Sequence, residues 1–249
     1  MTNSNVSLDD KYSIESGRIF VTGVQALARI PMVQRQRDVL EGLNTAGFIS
    51  GYRGSPVGGF DQQLWRAKKF LEQNHIRFQP GLNEDLAASA IWGSQQTNLH
   101  EGGKYDGVFA IWYGKGPGVD RCGDVFKHGN MSGPAKHGGV LLIAGDDHAA
   151  KSSTVPHQSE YAFMDASIPV LNPAGVQDIV DYGILGFAMS RFSGCWVAFK
   201  TTAENMDSSA SIDVSPDRVK ISLPKFDMPE GGLSIRWPDD WIEQEHRLH

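Results

Sequence analysis

The sequence predicts an α/β fold built on a parallel sheet, and three observations carry that expectation. Short apolar runs alternate with longer amphipathic stretches from residue 25 to residue 200, the pattern of successive βα units. The run VLLIA at 140–144 is apolar throughout, as a strand covered on both faces must be. Glycine supplies 28 of the 249 residues and falls mostly between the apolar runs, where tight strand-to-helix turns need it.

Taken in order, the amphipathic stretch 25–43 reads as a helix and 47–51 as the first strand of the series. A Gly/Pro loop follows, then a helix over 61–73 with Asp61 as its N-cap, and a strand at 76–79. Asn83 is placed to cap a helix over 84–99, whose early residues are small and apolar. The strand 107–112, the helix 119–131 and the buried strand 140–144 come next, followed by a strand at 168–171, a helix at 176–191 and a strand at 195–200. Residues 1–16 are polar and read as an N-terminal arm, and 17–205 as the folded body. After residue 205 periodicity fades and Ser, Asp and Pro become common, so 206–249 reads as a linker or arm towards a following domain. Trp237 and Trp241 there are expected to bury against something, which suggests one piece of a longer polypeptide.

Composition excludes several classes. There are 23 Lys plus Arg against 29 Asp plus Glu, a net charge of −6, so no basic field attracts nucleic acid. No apolar run approaches the roughly 18 residues of a membrane span. Cys122 and Cys195 lie far apart and outside any CxxC spacing, which fits a reducing, cytoplasmic compartment and no self-contained zinc or iron–sulfur site.

Ligands in open α/β sheets gather at the carboxyl ends of the strands, so the loops there hold the candidate chemistry. GYRGSPVGGFD at 51–61 offers backbone N–H groups, the Ser55 hydroxyl and the Arg53 guanidinium to an anion. It lacks the GxGxxG and GxxxxGK[ST] patterns, and a purely structural glycine turn explains it as well. Glu84 lies in the first turn of its helix, where any carboxylate complements the helix dipole. Asp146, Asp147, His148 and His157 share one loop, but their spacing matches no metal-binding device, and no metal site is expected. In 113–130, Lys115, Arg121, Lys127 and His128 either present positive charge to a substrate carboxylate or form a solvated helix face.

The order of the motifs is more specific than any one of them. GYRGSPVGG, then NEDLAASAIWGSQQ, then GPGVDRCGDVFKHGNMSGPAKHGGVLLIAGDDHAAKSSTVPHQSEY together resemble the pyrimidine-binding domain of indolepyruvate:ferredoxin oxidoreductases and their pyruvate and 2-oxoglutarate relatives, over roughly 17–205. The long, fused indolepyruvate type is the most similar. The family's YPGTP-like loop corresponds to Tyr52–Pro56, its asparagine–glutamate pair to Asn83 and Glu84, and its DDP, serine pair and glutamine to 145–147, Ser152, Ser153 and Gln158. Arg53 and Ser55 replace the usual proline and threonine.

The resemblance implies a three-layer α/β/α thiamine-diphosphate-binding domain in which Glu84 hydrogen-bonds the cofactor's pyrimidine nitrogen and switches it on. Tyr52, Gly54, Ser55, Pro56, Asn83 and Glu84 would bind thiamine diphosphate, and Arg53, Ser55, Lys115 and His128 are candidates for the 2-oxoacid carboxylate. No GDG motif occurs in this sequence. Mg²⁺ with the diphosphate, and 4Fe–4S clusters, are therefore expected on other domains or subunits, with coenzyme A as co-substrate, and this chain alone is expected to be inactive. Ferredoxin or another electron acceptor, an aromatic 2-oxoacid and a homodimeric partner complete the expectation. The alternatives are the same domain in a non-redox decarboxylase or transketolase-like enzyme, and a non-catalytic binding or regulatory domain.

Overall fold

A computed structural model describes residues 6–249, beginning with a short helix, α1 (Asp10–Ser13), which buries Tyr12. Strand β1 (Arg18–Thr22) leads into α2 (Gly23–Leu40), started by a reciprocal cap in which Thr22 and Gln25 bond each other's backbone N–H. The series then runs β2 (Ala46–Gly51), α3 (Phe60–Arg66), α4 (Lys68–Gln73), β3 (Ile76–Phe78), α5 (Glu84–Gln95), β4 (Val108–Lys115), α6 (Gly116–Arg121), α7 (Gly123–Ser132) and β5 (Val140–Gly145). It continues with α8 (Glu160–Asp165), β6 (Val170–Leu171), α9 (Val176–Ser193), β7 (Val197–Thr201), α10 (Ala203–Asp207), β8 (Ser209–Asp213) and α11 (Trp241–Leu248).

Six strands form one parallel sheet in the order β3-β2-β4-β5-β7-β6. Alternate residues divide its two faces. Ile49, Ile111, Tyr113, Leu141, Ile143 and Phe199 pack under α2, α3 and α9, whereas Ala110, Trp112, Leu142, Ala144 and Ala198 pack under α5, α6, α7 and α8. The result is a three-layer α/β/α fold, and every residue of β5 is buried, as its unbroken apolar run requires. From β2 the chain moves outward to β3, but β4 lies on the other side of β2, so the order reverses between β2 and β4. The crevice at that reversal opens beyond Gly51 and Lys115.

The alternating strands expected from the sequence are present, with 168–171 shortened to Val170–Leu171. The stretch 119–131 is two helices that break at Cys122, 61–73 is two that break at Ala67, and 84–99 ends its α-helix at Gln95. Asn83 caps α5 as expected, but α3 starts at Phe60 and places Asp61 inside its first turn. A feature absent from the sequence reading is an antiparallel ribbon that pairs Arg18 with Asp213 and Thr22 with Ser209. β8 lies beyond residue 205, where composition places the start of the arm, and this pairing ties it to the body. Arg29, wholly buried in α2, donates to the carbonyls of Tyr12 (2.6 Å) and Ile14 (2.9 Å) and so anchors the N-terminal segment.

The C-terminal arm returns along α7. Ile235 N–H donates to Pro134 O at 3.0 Å, and Arg247 of α11 donates to Ser132 O at 2.9 Å and pairs with Asp239. Trp237 and Trp241 remain exposed on its surface. Among the described residues no helix is long and apolar enough to cross a membrane.

Candidate active site

The site is assembled where β2, β3, β4 and β5 end. After β3 the chain is held beside β2 by Gln79 N–H to Ile49 O and Gly81 N–H to Gly51 O, each 2.9 Å. Asn83 is extended, and its Oδ1 accepts from Leu86 N–H at 2.8 Å, so α5 begins at Glu84. The indole N–H of buried Trp112 in β4 donates to the Glu84 carbonyl at 3.1 Å and fixes that first turn to the sheet. Beside it, Arg121 donates to Asp85 Oδ2 at 2.9 Å and joins α5 to α6.

The half-buried Glu84 side chain lies over Gly118 in α6. A Cβ on Gly118 would stand 2.6 Å from Glu84 Cγ and 2.9 Å from Oε1, so only glycine leaves this place to the carboxyl. Among the described residues that carboxylate takes part in no hydrogen bond or ion pair and is free for a ligand. Cys122, at the α6–α7 break, is fully buried, and burial followed by the nearby Asp85 charge pushes its thiol up, leaving it inert.

The loop after β2 folds back over the ends of β4 and β5. Tyr52 N–H donates to Tyr113 O at 3.0 Å, and Gly54 passes so close that a Cβ would come within 2.7 Å of Lys115 Cβ. Ser55–Pro56 is a cis peptide, and Pro56 and Val57 pack over Gly145 at the end of β5. The Tyr52 ring and Ser55 are exposed. Arg53 is also exposed, 74% of its side chain, with Nε 3.5 Å from the buried Asp61 carboxylate. Below them Tyr113 is wholly buried with its hydroxyl unpaired, and burial, then the Asp61 charge, raises that phenol.

Polar contacts shape the loop between β5 and α8. Asp146, buried, accepts from the Ser159 N–H at 2.9 Å and from its hydroxyl, and lies 3.7 Å from the Lys200 ammonium, which also pairs with Glu160. Asp147 accepts from Ser152 N–H at 2.8 Å and Lys151 N–H at 3.1 Å, and the Ser152 bond holds its carboxyl below the usual range. His157 covers the start of α6, where a Cβ on Gly116 would meet its ring at 2.4 Å, and its Nδ1 is 3.7 Å from Asp120 Oδ2.

The structure thus brings Tyr52, Arg53, Gly54, Ser55, Pro56, Asn83, Glu84 and Lys115 to one rim. His128 is elsewhere. It sits on α7 against Trp92, eight residues beyond Glu84 and so roughly 12 Å further along α5. Asp146, Asp147 and His157 each serve separate partners, and among the described residues no three His, Cys, Asp or Glu side chains stand together as metal ligands. Gly118 and His157 are the site neighbours that sequence reasoning missed as such. The local signal for Gly118 was the GPG run after a strand, and for His157 its place on the loop after the buried strand. A cavity of about 760 Å³ lies away from this rim, between Phe192 and Cys195 of the body and Phe226 of the arm.

Neither a family model nor a curated protein matches the sequence. Among solved structures the chain is similar to the 2-oxoglutarate:ferredoxin oxidoreductase from Magnetococcus marinus with 2-oxoglutarate, coenzyme A and succinyl-CoA bound. The TM-score is 0.59 at 16% sequence identity, over 82% of this chain and 33% of that one. The chain therefore spans about a third of the length of that protein. At this identity the likeness establishes the fold: these residues share the three-layer architecture of part of a 2-oxoacid:ferredoxin oxidoreductase chain.

Proposed function

We propose that this chain is the pyrimidine-binding part, with 17–205 as its core and 206–249 as an arm, of a thiamine-diphosphate-dependent 2-oxoacid:ferredoxin oxidoreductase of the indolepyruvate type. The observation that carries the reading is the Glu84 carboxylate, seated on Gly118 at the rim of the β2/β4 crevice without a hydrogen-bond partner in the described chain. A half-buried carboxyl with no hydrogen bond of its own, on a helix start that Asn83 caps and that Trp112 fixes through the Glu84 backbone carbonyl, is suited to hydrogen-bond a heterocyclic ring nitrogen. The residues present fit the cofactor's pyrimidine half.

Glu84 would hold that ring with Tyr52, Gly54, Ser55 and Pro56 beside it and Asn83 fixing the helix start. When bound, thiamine diphosphate supplies the nucleophilic carbon and the electron sink for decarboxylation. Glu84 would give and take back a proton at its carboxyl oxygens. Arg53 is the group for the oxoacid carboxylate, because its guanidinium is exposed and a fork of N–H donors takes a carboxylate bidentately. Lys115 is already engaged and His128 faces another surface, so neither is the first choice.

Exposed apolar side chains ring the same rim: Tyr52, Leu82, Leu86 and Val155. Such a rim fits a face that another domain or subunit covers. On this reading that partner brings Mg²⁺ and the diphosphate site, 4Fe–4S clusters carry electrons to ferredoxin or another acceptor, coenzyme A takes the acyl group, and the enzyme is a homodimer. The test is the complete enzyme, assayed with an arylpyruvate, coenzyme A and a one-electron acceptor. Turnover that requires added thiamine diphosphate, in protein that contains iron, is the expected result. Thiamine-dependent turnover without iron would move the chain to a non-redox decarboxylase, and no cofactor binding would move it to a binding module.

A further inference from the structure

We propose that Lys115 is a positioning residue, which pins the 146–159 loop over the ends of β4 and β5 and sets the wall facing Glu84, rather than a group that contacts the substrate. Its importance for turnover rests on the function proposed above, but the pinning itself does not.

Lys115 is the last residue of β4, and only 15% of its side chain is exposed. Its ammonium donates to the Ser152 carbonyl at 2.6 Å and to the Ser152 hydroxyl at 2.9 Å, and lies 4.0 Å from Asp147 Oδ2. Two of its three N–H donors and its nearest counter-charge thus belong to the loop. Asp147 closes the same turn from the inside, through Ser152 N–H, Ser152 Oγ and Lys151 N–H. One lysine and one aspartate therefore hold a single point of the loop, while Asp146 and Ser159 close its base.

The loop has little else to hold it. Lys151, Ser152, Thr154, Val155, Pro156 and Gln158 are exposed, and Val155, its one large aliphatic side chain, is not in the core. Ala150 has φ +53, a conformation that non-glycine residues avoid and keep only when their surroundings impose it. A segment without apolar anchorage opens locally at low cost, so its position depends on its few polar contacts. A charged hydrogen-bonding group is the strongest of these. The second contact is His157, whose ring covers Gly116 two residues before Gly118 and the Glu84 carboxylate. A shift of the loop at Ser152 would therefore be felt at the start of α6, next to Glu84.

The experiment is hydrogen exchange of the 147–158 amides in the complete enzyme without substrate, for Lys115→Met, Asp147→Asn and the double variant, followed by steady-state kinetics. Both single variants are expected to speed loop exchange by about tenfold or more, and the double variant by much less than the product of the two. Both should raise the KM for the oxoacid by similar factors, again without additivity. Unchanged loop exchange in Lys115→Met would overturn the proposal. So would a KM effect of Lys115→Met that Asp147→Asn does not reproduce, because a direct contact to the substrate would then account for it. Failure of the thiamine assignment would leave the exchange result standing, so the two failures are distinguishable.

Discussion

The Glu84 carboxyl occupies the space that a side chain on Gly118 would fill: a Cβ there would stand 2.6 Å from Glu84 Cγ and 2.9 Å from its Oε1. Two residues 34 positions apart are joined by the absence of an atom, because α6 starts directly on β4 and turns its second glycine towards the first turn of α5. Gly118→Ala should therefore push the carboxyl off its place while leaving the core intact. A displacement of about 1 Å costs on the order of 10²-fold in rate. Turnover of the complete enzyme is expected to fall by that order, with a melting temperature within a few degrees of the parent. Unchanged turnover would show that the seat on Gly118 has no catalytic consequence.

Arg53→Ala should act on substrate binding alone. The guanidinium is exposed and its pair with Asp61 is long, at 3.5 Å, so its loss costs the fold little. The KM for the 2-oxoacid is expected to rise about 10- to 100-fold, in line with the worth of a charge-assisted hydrogen-bonded pair, with stability unchanged. A KM within twofold of the parent would remove Arg53 from the site.

Asp38 is the polar node of the α2–α9 contact. It is wholly buried and accepts from both Arg191 Nη atoms (2.6 and 2.9 Å), from Gln34 Nε2 (2.8 Å) and from Thr45 Oγ1 (2.6 Å). Removing one partner of such a pair strands the other charge, which costs about 3–5 kcal/mol. Asp38→Ala should show that loss in equilibrium denaturation, whereas a change below about 1 kcal/mol would mean that Arg191 finds other partners.

The loop base should be acid-sensitive. Burial, the largest single influence, pushes the Glu160 carboxyl up, but the hydrogen bond from Lys200, a backbone hydrogen bond and the Lys200 charge together outweigh it and hold the group below its ordinary 4.5. A carboxylate whose folded value is lowered contributes stability that is present above the unfolded value and lost as pH falls through the folded one. The melting temperature should therefore hold from pH 7 to about 5 and decline below about 4.5, with part of that decline absent in Lys200→Met. An identical acid slope in the variant would contradict the assignment.

Much of this was legible in the sequence, for identifiable reasons. β5 announced itself because a strand buried on both faces has no polar positions, and α5 because Asn83 supplies a local cap. The β1–β8 ribbon was not legible: β8 reads SASID, with little apolar alternation, and its partner lies about 190 residues earlier, so only tertiary pairing makes it a strand. Loop order singled out Glu84 and Arg53 as candidates, but not the seat of Glu84 on Gly118 or the bonds from Lys115 to Ser152. Those are contacts between helices and loops that no spacing encodes. Nor does spacing show that the His128 ring packs beside Trp92 of α5.

The most direct test of the central claim is Glu84→Gln in the complete enzyme, measured as thiamine-diphosphate-dependent oxidation of a 2-oxoacid alongside cofactor affinity. The amide keeps the size of the side chain but cannot hold and return a proton as a carboxyl does. Turnover should fall by about 10²- to 10⁴-fold with the protein folded and the cofactor still bound. Full activity in that variant would contradict the account.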